Sequence, residues 1–337
     1  MAVRSRIEKF LALSIARMPE GVARRLGRAV EVDGQTLDPH LKILLGLNKG
    51  RGGFETKGSV EAARLEYRNM ISVLERPEAA ADVTHDRTVE TDAGKVPVRI
   101  YESSKAGARP CIVYFHGGGY VIGDLDTHDG LCRRFSRELS ATVIAVDYRL
   151  APENPFPAGA DDCVAVTRWV LESAESLGID PERVALAGDS AGGNFAAVVS
   201  QEVPGIAFQL LIYPGTDARS QTESKTIFAT GFGLNKSTTD WFFQTYSQGA
   251  ERSEPRISPA ASTNLAKSPP THIATAGFDV LRDEGRDFGK LLQEAGIECT
   301  MENHSSLSHG FVHFTRLPGC DRGVAKLIEN LRQGLAP

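Results

Sequence analysis

Nowhere in the chain do about 18 apolar residues follow one another, the length a membrane-spanning helix needs. Near the N-terminus, in "MAVRSRIEKFLALSIARMPEGVARRLG", the run from Phe10 to Ala16 covers seven residues and stops at Arg17. It is too short for a secretory signal or an anchor. Its apolar positions Phe10, Leu11, Leu13 and Ile15 predict an amphipathic helix that packs on the protein's own body, with no stable membrane insertion. A net positive charge is lacking too: the formal net charge is −5, which offers no broad basic surface for nucleic acid. Cysteine is sparse and odd in number. Cys111, Cys132, Cys163, Cys299 and Cys320 are spread widely, which excludes a disulfide framework and predicts buried thiols in a reducing compartment, the cytoplasm. Internal repeats and low-complexity tracts are missing, so a solenoid or a disordered tail is not expected.

What remains is a chain of 337 residues, 41% hydrophobic and 24% charged, enough for one large domain with an appendage. From about residue 83, strands and helices alternate. "RTVETDAGKVPVRIYES" alternates in polarity and turns at Asp92 to Gly94, a hairpin. Short apolar runs follow: "CIVYF", "TVIAVDY", "RVALAG", "FQLLIY", "HIATAG" and "IECTM". Segments with helical spacing separate them, and "GVAKLIENLRQGL" closes the chain. This order predicts a mostly parallel sheet covered on both faces. Two regions break the rhythm: the first 60 or so residues, and roughly 215 to 270, where "STTDWFFQTYSQ" is the one predicted helix.

Chemistry concentrates at two glycine-rich stretches. In "VALAGDSAGGNFAAVV", Gly188, Ser190 and Gly192 form GxSxG directly after a predicted strand and before a predicted helix. That context makes the serine an exposed nucleophile on a strained turn. A serine hydroxyl needs a base, and the base an acid. The strand "THIATAGF" ends in Asp279, the candidate acid. Asp283, Glu284 and Asp287 lie in the helix behind it and read as solvated charges or dipole partners at its N-terminus. His304, His309 and His313 compete for the base. His309, in a loop beside Gly310, is preferred; His304 is expected to leave the strand too early and His313 to belong to the next helix. In "YFHGGGYVIGD" the glycines let backbone amides approach a developing oxyanion, so the N–H groups of Gly118, Gly119 and Ala191 are the candidate donors.

"HGGGY", "DYRLAPENPFPA", "GDSAGGN", "DVLRDEG" and "HGF", in this order, resemble the bacterial hormone-sensitive-lipase-type esterases of the α/β-hydrolase superfamily, in the branch with GDSAG around the nucleophile. The resemblance covers about residues 85 to 335 and implies an α/β-hydrolase fold, an eight-stranded sheet flanked by helices, with a helical cap. It places the catalytic serine, acid and base on Ser190, Asp279 and His309. One departure is Val280, where proline is more usual. The expected domains are residues 1–55 as the N-terminal part of the cap, 56–214 and 256–337 as the catalytic domain, and 215–255 as a cap insertion. The expected activity is hydrolysis of small carboxylic esters through an acyl-enzyme, with no cofactor and no metal. The alternative is a noncatalytic small-ligand-binding protein on the same fold. Tyr120, Phe232, Trp241, Phe242 and Tyr246 are candidate pocket residues, and a small bounded site favouring acyl chains of about C2 to C8 is expected. A homodimer stays open. "GFGLNKST" lacks the glycine and strand of a phosphate-binding loop; "NKGRGGF" reads as a hinge between cap helices.

Overall fold

The computed structural model describes residues 10–47, 59–92, 94–103 and 107–336; the predicted hinge "NKGRGGF" lies outside them. Its centre is an eight-stranded sheet. The predicted hairpin is β3 (Val83–Thr91) and β4 (Gly94–Glu102), antiparallel to each other, and β4 pairs antiparallel with β6 (Thr142–Val146). The other strands run parallel: β5 (Arg109–Phe115) between β6 and β7 (Ile179–Asp189), then β8 (Phe208–Ile212), β9 (Thr271–Phe278) and β10 (Cys299–Ser308) at the far edge. A separate two-stranded ribbon is β1 (Glu31–Val32) with β2 (Gln35–Thr36).

The inner strands are buried on both faces, which is why the sequence shows them as unbroken apolar runs. Successive side chains point to opposite faces. Ile112, Tyr114, Val143 and Leu210 enter one core with Leu131 and Phe135 of α5 (Asp129–Leu139) and Leu327 of α11 (Pro318–Gly334). Val113, Phe115, Leu186 and Leu211 enter the other, with Val166 of α6 (Ala158–Glu172), Phe195 of α7 (Ala191–Glu202) and Phe288 of α10 (Arg282–Glu294). All five cysteines are buried and free.

Two helical groups stand outside this sandwich. The first comprises α1 (10–16), α2 (Glu20–Arg25), α3 (Pro39–Leu47) and α4 (Val60–Leu74); the second, between β8 and β9, comprises α8 (Ser224–Ile227) and α9 (Lys236–Ser247). Ser59 caps α4 by accepting the Ala62 N–H. At the other end of α4 the Glu75 carboxyl faces Gly130, and burial, with Asp129 and Glu78 nearby, pushes its pKa up to about 8. Its folded value therefore exceeds its ordinary one of 4.5, so stability is full below 4.5 and falls as pH rises through 8. Glu75→Gln should leave Tm unchanged near pH 5 and raise it by ~2–4 °C at pH 8.5, as read by calorimetry; an equal change at both pH values would contradict the assignment.

Candidate active site

The strand order reverses beside β5: the chain leaves β5 to one side for β6 and returns to the other for β7. In open sheets such a reversal opens a crevice at the carboxyl ends of the strands. The glycine stretch follows β5, Ser190 follows β7, Asp279 follows β9 and His309 follows β10.

Ser190 sits between β7 and α7 at φ 55° and ψ −116°, a conformation that costs on the order of 1–3 kcal/mol for a residue with a side chain. The tight turn is possible because its flanking positions carry no side chain. A Cβ at Gly188 would strike the Gly192 carbonyl, and one at Gly192 would strike that of Phe115. The Ser190 N–H donates to the Ile212 carbonyl at 2.8 Å and so holds the elbow against β8.

His309 Nε2 lies 3.0 Å from Ser190 Oγ, and its Nδ1 lies 2.7 Å from Asp279 Oδ2. The second Asp279 oxygen accepts the Leu281 N–H at 2.9 Å. With Asp279 buried, this leaves the carboxylate fixed and aimed at the imidazole. The Tyr213 ring packs 4.5 Å from that of His309.

His116 Nδ1 meets the Gly117 carbonyl at 2.8 Å, and Tyr148 O–H donates to the His116 carbonyl at 2.6 Å. Burial lowers the His116 pKa to about 4, so the ring is neutral and its Nδ1–H donates. Gly118 and Gly119 have φ of 122° and 59°. A Cβ at Gly118 would meet the Ile122 carbonyl, and one at Gly119 the Phe242 ring. Ala191 opens α7, and the first N–H groups of a helix have no partner within it.

The structure does not bring the other sequence candidates to Ser190. His304 lies inside β10, which runs on to Ser308, with its ring 4.8 Å from Phe311; the strand is longer than expected. His313 ends a short 3₁₀ turn, Phe311–His313, rather than joining α11, whose start is set by Pro318. It is buried, with Tyr67 Oη 3.0 Å from its Nε2. Glu284 is neither solvated nor a dipole partner. It is buried, pairs with Lys225 Nζ at 2.7 Å, and accepts from the Ser220 hydroxyl and the Thr216 N–H, each at 2.8 Å. Asp283 accepts from Arg282 and from the Ser224 N–H, and Asp287 pairs with Lys290 on the surface.

A cavity of about 1250 Å³ opens over Ser190 and His309. Tyr120 and Phe242 line it; Phe232, Trp241 and Tyr246 are not among its lining residues. Phe232 packs on Phe228 and Phe278, Trp241 on Phe242, and Tyr246 stacks behind Tyr120 at 4.0 Å. Apolar residues of the N-terminal helices take their place: Leu11, Leu44, Met70 and Val73. Sequence reasoning missed these. The signal was present in α4, where Tyr67, Met70 and Leu74 recur at helical spacing. The cavity is larger than the small bounded site expected. Beneath it His128, Asp189 and His313 bring ligand atoms within 4.8 Å of one another. These are metal-ligating residue types, but the same atoms already engage the Gly117 N–H, Tyr114 and Tyr67.

A mostly parallel sheet with a serine elbow after one strand, and a carboxylate and a histidine after two later ones, has the architecture of an α/β hydrolase. Residues 112–313 match the family of that fold. The chain is 40% identical over 325 residues to the carboxylic ester hydrolase LipN of Mycobacterium tuberculosis, covering 92% of this chain and 86% of the relative. It is 33% identical over 287 residues to an ethyl acetate hydrolase of Pseudomonas putida, covering 82% and 90%. Among solved structures, ester-hydrolase EH1AB1 from the Lake Arreo metagenome, complexed with a bipyridine phosphonate derivative, superposes with a TM-score of 0.83 at 37% identity, covering 88% of this chain and 98% of that one. A thermostable esterase from Pseudomonas putida gives 0.85 at 29%, covering 91% and 100%. The chain belongs to the α/β-hydrolase family, among its hormone-sensitive-lipase-type esterases.

Proposed function

We propose that this carboxylic ester hydrolase works through an acyl-enzyme on Ser190. The observation that carries the reading is the pair of contacts from His309, 3.0 Å to Ser190 Oγ and 2.7 Å to Asp279. Ser190 Oγ bonds to the ester carbonyl carbon while its proton passes to His309 Nε2. The N–H groups of Gly118, Gly119 and Ala191 hold the oxyanion. As the tetrahedral adduct collapses, the C–O bond to the alcohol breaks and His309 returns the proton to the leaving oxygen. Water then attacks the acyl-enzyme, giving one proton to His309. When the acid leaves, that proton returns to Ser190. The complete constellation favours this reading over a noncatalytic binder.

The cap, as proposed, consists of residues 1–55 together with residues 215–255, since Leu11 and Leu44 of the first part and Phe242 of the second contribute to the cavity wall. The cavity's volume sets no C8 limit. Local crowding favours short acyl groups instead: the Phe242 ring stands against Gly119 and narrows the space beside the oxyanion donors. A series of p-nitrophenyl esters from acetate to palmitate tests both points. A pre-steady-state burst and a kcat/KM maximum at or below C8 are expected, and Phe242→Leu should raise the C12-to-C4 ratio about fivefold. Palmitate turned over as fast as butyrate by the unaltered protein would overturn the size argument. The absence of any acyl-enzyme by mass spectrometry under burst conditions would overturn the mechanism. Five buried, unpaired thiols support a reducing, cytoplasmic setting.

A further inference from the structure

Asp189, the residue immediately before the nucleophile, takes no part in the proton transfers above, yet both of its carboxylate oxygens are engaged beneath the site. It is buried. Its Oδ1 accepts the Gly117 N–H at 2.8 Å and the Tyr114 O–H at 2.8 Å, with His128 Nε2 at 3.2 Å. Its Oδ2 faces Tyr213 Oη at 3.4 Å and His313 Nε2 at 3.8 Å. Through His313 the carboxylate reaches Tyr67 of α4. Burial by itself would raise the Asp189 carboxyl, but the imidazoles of His128 and His313 outweigh it and hold the group well below the usual carboxylate range.

The bond to Gly117 matters because of where it falls. A peptide unit is planar, so anchoring the Gly117 N–H fixes the plane between His116 and Gly117, and the His116 ring fixes the next plane by holding the Gly117 carbonyl. The second plane carries the Gly118 N–H. Gly117 also approaches so closely that a Cβ there would collide with the Asp189 carboxylate. Three glycines in a row have no side chains to hold them in place and are intrinsically mobile. A donor turned away from the oxyanion contributes nothing to its stabilisation, so a fixed acceptor under the loop converts mobile amides into aimed ones.

We propose that Asp189 is a positioning residue for the oxyanion loop, its Oδ1 fixing the Gly117 peptide so that the Gly118 and Gly119 N–H groups point at the reacting oxygen. The proposal rests on the acyl-enzyme reading and concerns a residue that reading leaves idle. What is required of Asp189 is an acceptor atom at that place rather than a negative charge. Asparagine retains such an oxygen; leucine keeps the branching at Cγ, is bulkier, and has no acceptor.

The test compares Asp189→Asn with Asp189→Leu in kcat, KM and affinity for a trifluoromethyl ketone, whose adduct carries the oxyanion. Asp189→Leu should lower kcat about 100- to 1,000-fold, the loss typical of one oxyanion donor, with KM within about threefold and ketone affinity falling in parallel with kcat/KM. Asp189→Asn should stay within about tenfold of the parent in kcat and bind the ketone nearly as well. A folded Asp189→Asn as impaired as the leucine variant would overturn the proposal, and that arm stands even if Asp189→Leu fails to fold. A folded leucine variant with parental kcat would overturn it equally. Failure of the parent itself to form a ketone adduct on Ser190 would instead overturn the acyl-enzyme reading.

Discussion

Replacing Ser190 by alanine should leave the protein folded and lower turnover by about a million-fold, the scale on which loss of the nucleophile removes a serine hydrolase's covalent route. The fold should survive because the elbow is held by its backbone and its glycines: the Ser190 N–H to Ile212, and the close packing at Gly188 and Gly192, are untouched by losing Oγ. Alanine accommodates φ 55° no worse than serine, so the stability change should stay within roughly 1 kcal/mol. A small residual rate above that of water is expected, because the proposed oxyanion donors and the cavity remain. Stopped-flow release of p-nitrophenol measures turnover, and a phosphonate ester measures the nucleophile directly. The parent should gain one adduct on Ser190 and the variant none. An adduct on another residue with Ser190 unmodified would remove Ser190 from the mechanism.

How much of this was readable in the chain depends on the range of the interactions involved. The sheet was legible because strands buried on both faces need unbroken apolar runs, and "CIVYF" or "FQLLIY" has no other economical use. The elbow was legible because its requirement is local: glycine two residues either side of Ser190, between a strand and a helix. Glu284 was misread because its partners come from residues 216 to 225, more than fifty positions upstream, where helical periodicity carries no information. The same blindness affected the cavity wall. The aromatic set around residues 232 to 246 announces an apolar face, but which rings face the cavity depends on what packs behind them; Tyr120 claims Tyr246, and Phe278 claims Phe232. Asp189 carries no assignment from the sequence because nothing near it in the chain shows that Tyr114, seventy-five residues away, and Gly117 converge on its carboxylate.

Alanine at position 309 should be almost as damaging as alanine at 190, and the contrast with its neighbours makes the prediction sharp. Three histidines lie within ten residues of one another, but only His309 has a ring nitrogen 3.0 Å from Ser190 Oγ and the other on a buried carboxylate. His304 is held in β10 against Phe311 and looks onto no reacting group. His309→Ala should therefore lower kcat by about 10⁵- to 10⁶-fold with KM little changed, because the base acts on the transition state more than on substrate binding. His304→Ala should remain within about threefold of the parent, and Asp279→Asn, which leaves the imidazole in place but unaided, should fall about 10⁴-fold. Added imidazole should restore part of the activity of His309→Ala, filling the space the side chain vacates, and should do nothing for Ser190→Ala. Substantial activity in His309→Ala without added imidazole would place the base elsewhere, and loss of activity in a folded His304→Ala would show that β10 contributes to catalysis in a way its packing gives no reason to expect.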